Sequence, residues 1–168
     1  NPVENLTIEQ LQALYSGRSL NWEDVGGLPA EVLLTSREDN GGSRQLFEEQ
    51  IMGDERVSLT AVVLPTDANV VDYVAENVNA IGYVSYAYVV AVQTQANEPT
   101  DTASVPPIRM VAIEGQLPTL QSIQDQSYTL IQPIYLVSRM RPRGWLQQFI
   151  DFILSPAGQA IVARYHAR

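Results

Sequence analysis

Apolar residues near the start of the chain recur at helical spacing, with Leu11, Leu14 and Tyr15 on one face. Thr7 and Gln10 have capping-box spacing, Leu6 and Leu11 are placed for the flanking hydrophobic staple, and Gly17 stands where a left-handed residue closes a helix. This pattern predicts a first helix between Thr7 and Gly17. Asn21-Trp22 and Gly26-Gly27 then read as a turn-rich connection, and Glu31 to Ser36 as a short buried strand. A helix is expected from about Arg44 to Met52, with Leu46, Phe47 and Ile51 inward and Glu48 and Glu49 toward water. Val57 to Leu64 alternates as a strand stopped by Pro65. Thr66 is the N-cap of a helix through Asn77, whose Val70, Val71, Val74 and Val78 keep helical spacing.

The Val- and Tyr-rich run from Ile81 to Val92 predicts a long strand, and residues 93–107, polar and proline-bearing, predict an exposed loop. Ile108 to Ile113 and Leu130 to Ser138 read as two more strands around a short helix at Thr119 to Gln124. Arg141-Pro142-Arg143 opens a final helical pair. Its apolar positions are Trp145, Leu146, Phe149, Ile150 and Ile153, then Ala160 and Ile161 beyond the break at Ser155-Pro156. Strands alternating with helices define an α/β class, expected as three αβα layers around a mixed central sheet of about five strands. Residues 1–168 are expected to form a single lobe, with 142–168 as a C-terminal return segment.

Composition narrows the chemistry. The 168 residues contain no cysteine, and all ten basic residues are arginines, since the chain has no lysine. Thiolate metal sites, disulfides, Schiff bases and cysteine catalysis are therefore excluded. Nineteen acids against ten arginines give a net charge of −9, a poor match to nucleic acid, whose binding draws on neutralising many phosphates. The charge is uneven: residues 1–100 hold 15 acids and 4 arginines (−11), and residues 101–168 hold 4 acids and 6 arginines (+2). No apolar run reaches the roughly 18–20 residues needed to span a bilayer. With no initiator Met and no signal-like first segment, the chain is expected to begin where a longer one was cut.

An enzyme is disfavoured. The single histidine, His166, lies two residues from the C-terminus, Ser43 has no evident base partner, and Glu38/Asp39, Glu48/Glu49 and Asp54/Glu55 lack metal-loop spacing. No cofactor is implied. Trp22, Trp145, Tyr83, Tyr86 and Tyr88 read as packing residues, and Arg139, Arg141 and Arg143 as a solvated cluster.

One constellation looks like a site. A strand ends at Ser36, Arg37 follows, Gly41-Gly42 makes a flexible turn, and Ser43 begins a helix. Such a turn can aim main-chain N–H groups at one spot, to which the helix terminus adds a positive dipole end and Arg37 a fork of donors. Ser43 offers a hydroxyl, and Asp39 could hold the guanidinium. The parts suit a tetrahedral oxyanion.

Arg37-x-Asp39-x-x-Gly42-Ser43-Arg44-x-x-Phe47-Glu48 resembles the R-x-D-G-S-G-T-R-x-x-F-E stretch of the phosphate-binding proteins of ABC transporters, two-lobed receptors of the type II periplasmic binding-protein fold. Further landmarks follow in that family's order. They are Asn5-Leu-Thr-x-Glu9-Gln10-Leu11 with Tyr15-Ser-Gly17, Asn21-Trp22 with Val25-Gly26-Gly27, Asn79-Ala80-Ile81-Gly82-Tyr83-Val84-Ser85, Pro118-Thr119 with Ile123 and Tyr128, and Phe149 to Gln159. The resemblance implies that inorganic phosphate is met by Arg37, Asn40, Gly41, Gly42 and Ser43, with Asp39 steadying the arginine. Asn40 replaces a glycine and Gly41 replaces a serine, the latter removing a hydrogen bond of about 1–2 kcal/mol.

It also implies that the chain is a second lobe. The first lobe of the receptor and a membrane permease would be its partners, and the surface left by the missing lobe could pair two copies as a homodimer. The implied place is the periplasmic or extracellular face of the membrane, and the implied role is capture without chemistry. The other reading is a sensor or interaction module at the cell surface that has lost phosphate binding.

Overall fold

The computed structural model describes residues 2–39, 41–95 and 107–163. Asn40, most of the expected 93–107 loop and His166 lie outside the described residues. The first helix, α1 (Ile8–Ser16), forms as the capping box dictates. Thr7 Oγ1 accepts from the Gln10 amide at 3.0 Å, the Gln10 side chain accepts from the Thr7 amide at 2.9 Å, and Gly17 closes the helix at φ 80°. Leu11, Leu14 and Tyr15 are its buried face. Just before it, β1 (Asn5–Leu6) pairs in parallel with β5 (Ala112–Ile113), and the Glu114 carboxylate accepts from the Ile8 amide at 2.7 Å, fixing the start of α1 to that distant hairpin.

The second sheet carries the site. β2 (Leu33–Arg37) is its centre, flanked by β3 (Val62–Leu64) and β4 (Ala80–Ile81), both parallel to it. Each strand is followed by a helix: α2 (Gly42–Phe47), which runs on through a π-turn over Glu48–Met52, α3 (Asp67–Glu76), and α4 (Tyr86–Gln95). Strand–helix alternation on parallel strands is the α/β class expected. The strands number five among the described residues, divided into a three-stranded and a two-stranded parallel sheet instead of one mixed sheet. Because every strand of the larger sheet runs the same way, Arg37, Leu64 and Ile81 all end at one edge.

The core lies under that sheet. Leu6, Leu14, Tyr15, Phe47, Ile51 and Met52 are buried together with Leu34 and Ile81. Tyr15, Phe47 and Tyr83 form an aromatic group, with Phe47 stacked on Tyr83 at 4.2 Å and 4°. Helix α3 lies close to β4 because Gly82 has no side chain; a Cβ there would collide with Thr35 and Val70. Thr66 caps α3 as expected, its hydroxyl accepting from the Asn69 amide at 3.1 Å.

Three strand expectations are corrected. Of Val57 to Leu64, only the last three residues are strand, because Ser58 to Ala61 turn, with the Ser58 amide donating to Tyr15 O at 2.7 Å. Ile81 to Val92 is strand for one residue and then helix. Ser85 supplies the stop, since its hydroxyl and carbonyl accept from the Tyr88 and Val89 amides and so start α4. Local Val and Tyr propensity for strand gives way to that cap and to a helix that buries Val89. Leu130 to Ser138 has no strand partner among the described residues; Ile131 O instead accepts from the Gln50 side chain at 3.2 Å.

Helix α5 (Leu120–Gln124) follows its Thr119 cap, and α6 (Gly144–Leu154) and α7 (Pro156–Val162) form the expected C-terminal pair. They join closely at Gly158, where a Cβ would meet Ile153 Cα at 2.7 Å. Trp145 is not a packing residue here: it is 87% exposed, and α6 has no buried residue. None of the helices is long and apolar enough to cross a membrane among the described residues.

Candidate anion-binding site

Parallel strands gather their following loops at the carboxyl edge of a sheet, and such edges are where open α/β folds bind ligands. Here that edge brings together Arg37, the turn into α2, Pro65-Thr66 ahead of α3, and Gly82 to Ser85 ahead of α4. The starts of three helices therefore face one region.

At the start of α2, Gly41 is the N-cap and provides no side-chain cap, so the first-turn amides at Gly42 and Ser43 are left facing outward. The Gly41 amide is not one of the converging donors. It turns back onto Glu38 O at 2.9 Å, closing the loop. The Ser43 hydroxyl has no partner among the described residues and is half-buried. A Cβ at Gly42 would stand 2.8 Å from the Gln132 side-chain nitrogen, the movable end of a flexible side chain. Beside it, an open cleft of about 360 Å³ runs along the outer face of α2, lined by Gly42, Gln45, Leu46, Glu49, Gln132 and Tyr135. Arg37 does not line it.

Arg37 lies at the end of the central strand, as expected, but Asp39 does not hold it. Asp39 is 90% exposed and lies 3.8 Å from Arg44 Nη2. The carboxylate on Arg37 is Asp67, which accepts from Nη1, while Nη2 donates to Pro65 O at 2.9 Å. The other Asp67 oxygen accepts from the Ser85 hydroxyl at 2.7 Å and the Ser85 amide at 3.3 Å. One carboxylate thus ties the ends of β2, β3 and β4 together. The Arg37 Nε is buried and has no partner among the described residues.

Below these loops runs a second network. The Tyr83 hydroxyl accepts from the Arg37 amide at 3.2 Å and shares a hydrogen bond with Ser36 Oγ at 2.9 Å. Ser36 also accepts from Nη1 of the buried Arg44, whose Nε and Nη2 both meet Glu48 at 2.8 Å. Desolvation pulls the Arg44 pKa down, but the hydrogen bond to Glu48 and the nearby Tyr83 outweigh it, and the net direction is upward. Arg44 therefore stays charged and fastens α2 to β2.

Sequence reasoning missed Asp67, Ser85, Tyr83 and Arg44 as site supports. Asp67 and Ser85 carry a readable signal, for each sits at the start of a helix that follows a strand of one parallel sheet. Of the acid pairs, Glu48 serves Arg44 and Glu55 pairs with Arg18, and among the described residues no cluster of three His, Cys, Asp or Glu could hold a metal.

Fold and edge geometry define an α/β lobe whose loops gather at the carboxyl edge of a parallel sheet. The chain belongs to the PBP superfamily, whose domain model matches residues 1–157. Within it, the chain is similar to proteins named phosphate-binding protein PstS: 29% identity over 168 residues to that of Staphylococcus saprophyticus, and 27% over 164 residues to that of Staphylococcus aureus strain RF122. These alignments cover 94% of this chain and 48% and 47% of the relatives, so the chain spans about half their length. Among solved structures, a chain from Clostridium perfringens with bound phosphate matches at 30% identity and TM-score 0.70, over 99% of this chain and 63% of that one. An ABC-type phosphate transport receptor from Vibrio cholerae matches at 25% identity and TM-score 0.72, over 98% of this chain and 64% of that one.

Proposed function

We propose that this chain is the phosphate-contacting second lobe of a solute-binding receptor for ABC-type phosphate uptake, acting without chemistry at the outer face of a membrane. The observation that carries the reading is the carboxyl edge of the three-stranded sheet. There Arg37 ends the central strand, and the uncapped first turn of α2 follows it with a Ser43 hydroxyl that has no partner among the described residues. Arg37, Asn40, Gly41, Gly42 and Ser43 are the proposed ligand residues, with the Gly41 amide serving the loop and the amides of Gly42 and Ser43 serving the anion. The names of the relatives, phosphate-binding proteins and phosphate transport receptors, support phosphate over other oxyanions.

The half-length match supports the companion lobe as first partner and a permease as second. The exposed apolar run through Ile134, Tyr135, Val137, Trp145, Phe149 and Phe152 is the face proposed for that lobe. It is also the face through which two copies of the isolated chain would pair.

Magnitudes set the affinity of the half-site. Three charge-assisted hydrogen bonds give about 5–9 kcal/mol gross, and immobilising the anion costs at least about 4 kcal/mol. An open edge leaves water competing for every donor, so isolated phosphate is expected to bind at about millimolar or weaker. The test is a titration of the isotope-labelled chain with phosphate, followed through its amide resonances. Gly42 and Ser43 should shift, with Gly41 moving less. No perturbation at any of the three at tens of millimolar would overturn the assignment.

A further inference from the structure

We infer that Asp67 is the positioning residue for Arg37, in the role that the loop acid Asp39 was expected to fill. The inference rests on the phosphate reading above and adds a residue to its site. Three observations carry it. Asp67 accepts from Arg37 Nη1 with one oxygen and from both donors of Ser85 with the other, so it is held from the β4 side while it holds the β2 side. It is also well covered, its side chain being 20% exposed beside an Arg37 side chain that is 16% exposed, whereas Asp39 points into solvent. Finally, Pro65 O takes Nη2 from the same direction, so the face of the guanidinium turned to β3 and α3 is saturated and its orientation set.

An arginine has side-chain entropy to lose on being ordered, and a pre-held fork loses less of it when the ligand arrives. Asp67 therefore acts through Arg37 and need not touch the anion. It carries a cost as well, because its charge offsets that of the guanidinium. The site then has a directed donor in place of a free cation, which favours a ligand that accepts hydrogen bonds in fixed directions over one that seeks charge alone. The buried Arg37 Nε, unpartnered among the described residues, is the donor that this arrangement leaves in reserve. A buried N–H without an acceptor is rare enough to point to a missing partner.

The experiment uses the full 168-residue chain and inorganic phosphate. In the wild type, the Arg37 Nε–H resonance, assigned by its loss in Arg37→Lys, should stand apart from those of solvated arginines. In Asp67→Ala it should collapse onto them, and the phosphate needed to shift the Gly42 and Ser43 amides should rise about tenfold. Asp67→Asn, which keeps one acceptor oxygen, should fall between. Ser85→Ala, which removes the hydroxyl clamp on Asp67 and one cap of α4 but keeps the amide bond to Asp67, gives a milder version should Asp67→Ala fail to fold. An unchanged Arg37 signal in the Asp67 variants, or phosphate binding that is equal or tighter, would overturn the inference. Should wild-type amides ignore phosphate, the phosphate reading fails while the Arg37 resonance still decides the role of Asp67.

Discussion

Removing a single oxygen tests whether the Tyr83 hydroxyl organises the sheet edge. In Tyr83→Phe the ring stays stacked on Phe47 at 4.2 Å, so apolar packing is conserved and any change belongs to the hydroxyl. That hydroxyl serves two partners, Ser36 Oγ at 2.9 Å and the Arg37 amide at 3.2 Å. A typical intramolecular hydrogen bond is worth about 1 kcal/mol net, and a half-buried amide left without its acceptor costs about 1–3 kcal/mol. The expected loss is about 2 kcal/mol. For a domain of this size, about 2–4 °C of melting temperature goes with each kcal/mol, so the midpoint should fall by about 4–8 °C. Urea unfolding followed by circular dichroism and by tryptophan fluorescence would measure it. A cycle with Ser36→Ala separates causes: the two residues share one bond, so the double variant should cost less than the two single losses combined. A Tyr83→Phe protein within about 0.5 kcal/mol of the wild type would show that the hydroxyl only sits near the edge without holding it, and the network reading would fall.

Two further outcomes follow. Burial pushes the Tyr128 hydroxyl up to about 12, and burial together with Tyr83 pushes that of Tyr15 higher still. Folded values raised above the unfolded one of about 10 mean a contribution that is complete below pH 10 and lost as pH climbs toward 12; Tyr128 alone should account for about 1 kcal/mol of loss by pH 11. Thermal melts from pH 8 to 11, with tyrosinate absorbance as the second probe, would show no such decline were the two rings solvated. Separately, Phe149→Asp with Phe152→Asp should shift the chain toward monomer in sedimentation velocity while leaving its circular dichroism intact, because both rings are at least half exposed and no residue of α6 is fully buried. Identical sedimentation of wild type and variant at all concentrations would remove α6 from any interface.

The sequence was most readable where local chemistry decides. Thr7, Thr66, Thr119 and Ser155 each cap the helix they were expected to start or flank, because a cap needs only a few neighbouring residues. It was least readable where a partner element decides. Tyr86 to Val92 has the composition of a strand, and nothing within it reveals that β2 already has β3 and β4 on its two sides. Leu130 to Ser138 reads as a strand, yet no strand stands beside it among the described residues. The site followed the same division. Arg37, Gly41, Gly42 and Ser43 could be picked out because they are close in sequence. Asp67 and Ser85, 30 and 48 residues beyond Arg37, meet it only through the parallel register of the sheet. Asp39 was expected to hold Arg37 because it is two residues away; at the end of an extended strand that spacing carries it into solvent.

The charge arithmetic bears differently on a small anion than on a large one. The half of the chain that holds the proposed site is also its acidic half, with a balance of −11 over residues 1–100. A polyanion would meet that field along its whole length. A single oxyanion would not, since the Debye length at physiological ionic strength is about 8 Å and more distant acids are largely screened. Close in, the strong charges are already matched: Asp67 on Arg37, Glu48 on Arg44. What remains unmatched at the edge is a set of short-range donors, the first-turn amides of α2, the Ser43 hydroxyl and the Arg37 Nε. Dipoles of this kind lose their hold within a few ångströms, so they reward a ligand small enough to reach all of them at once. An acidic background of this kind discourages polyanions while costing a small oxyanion little.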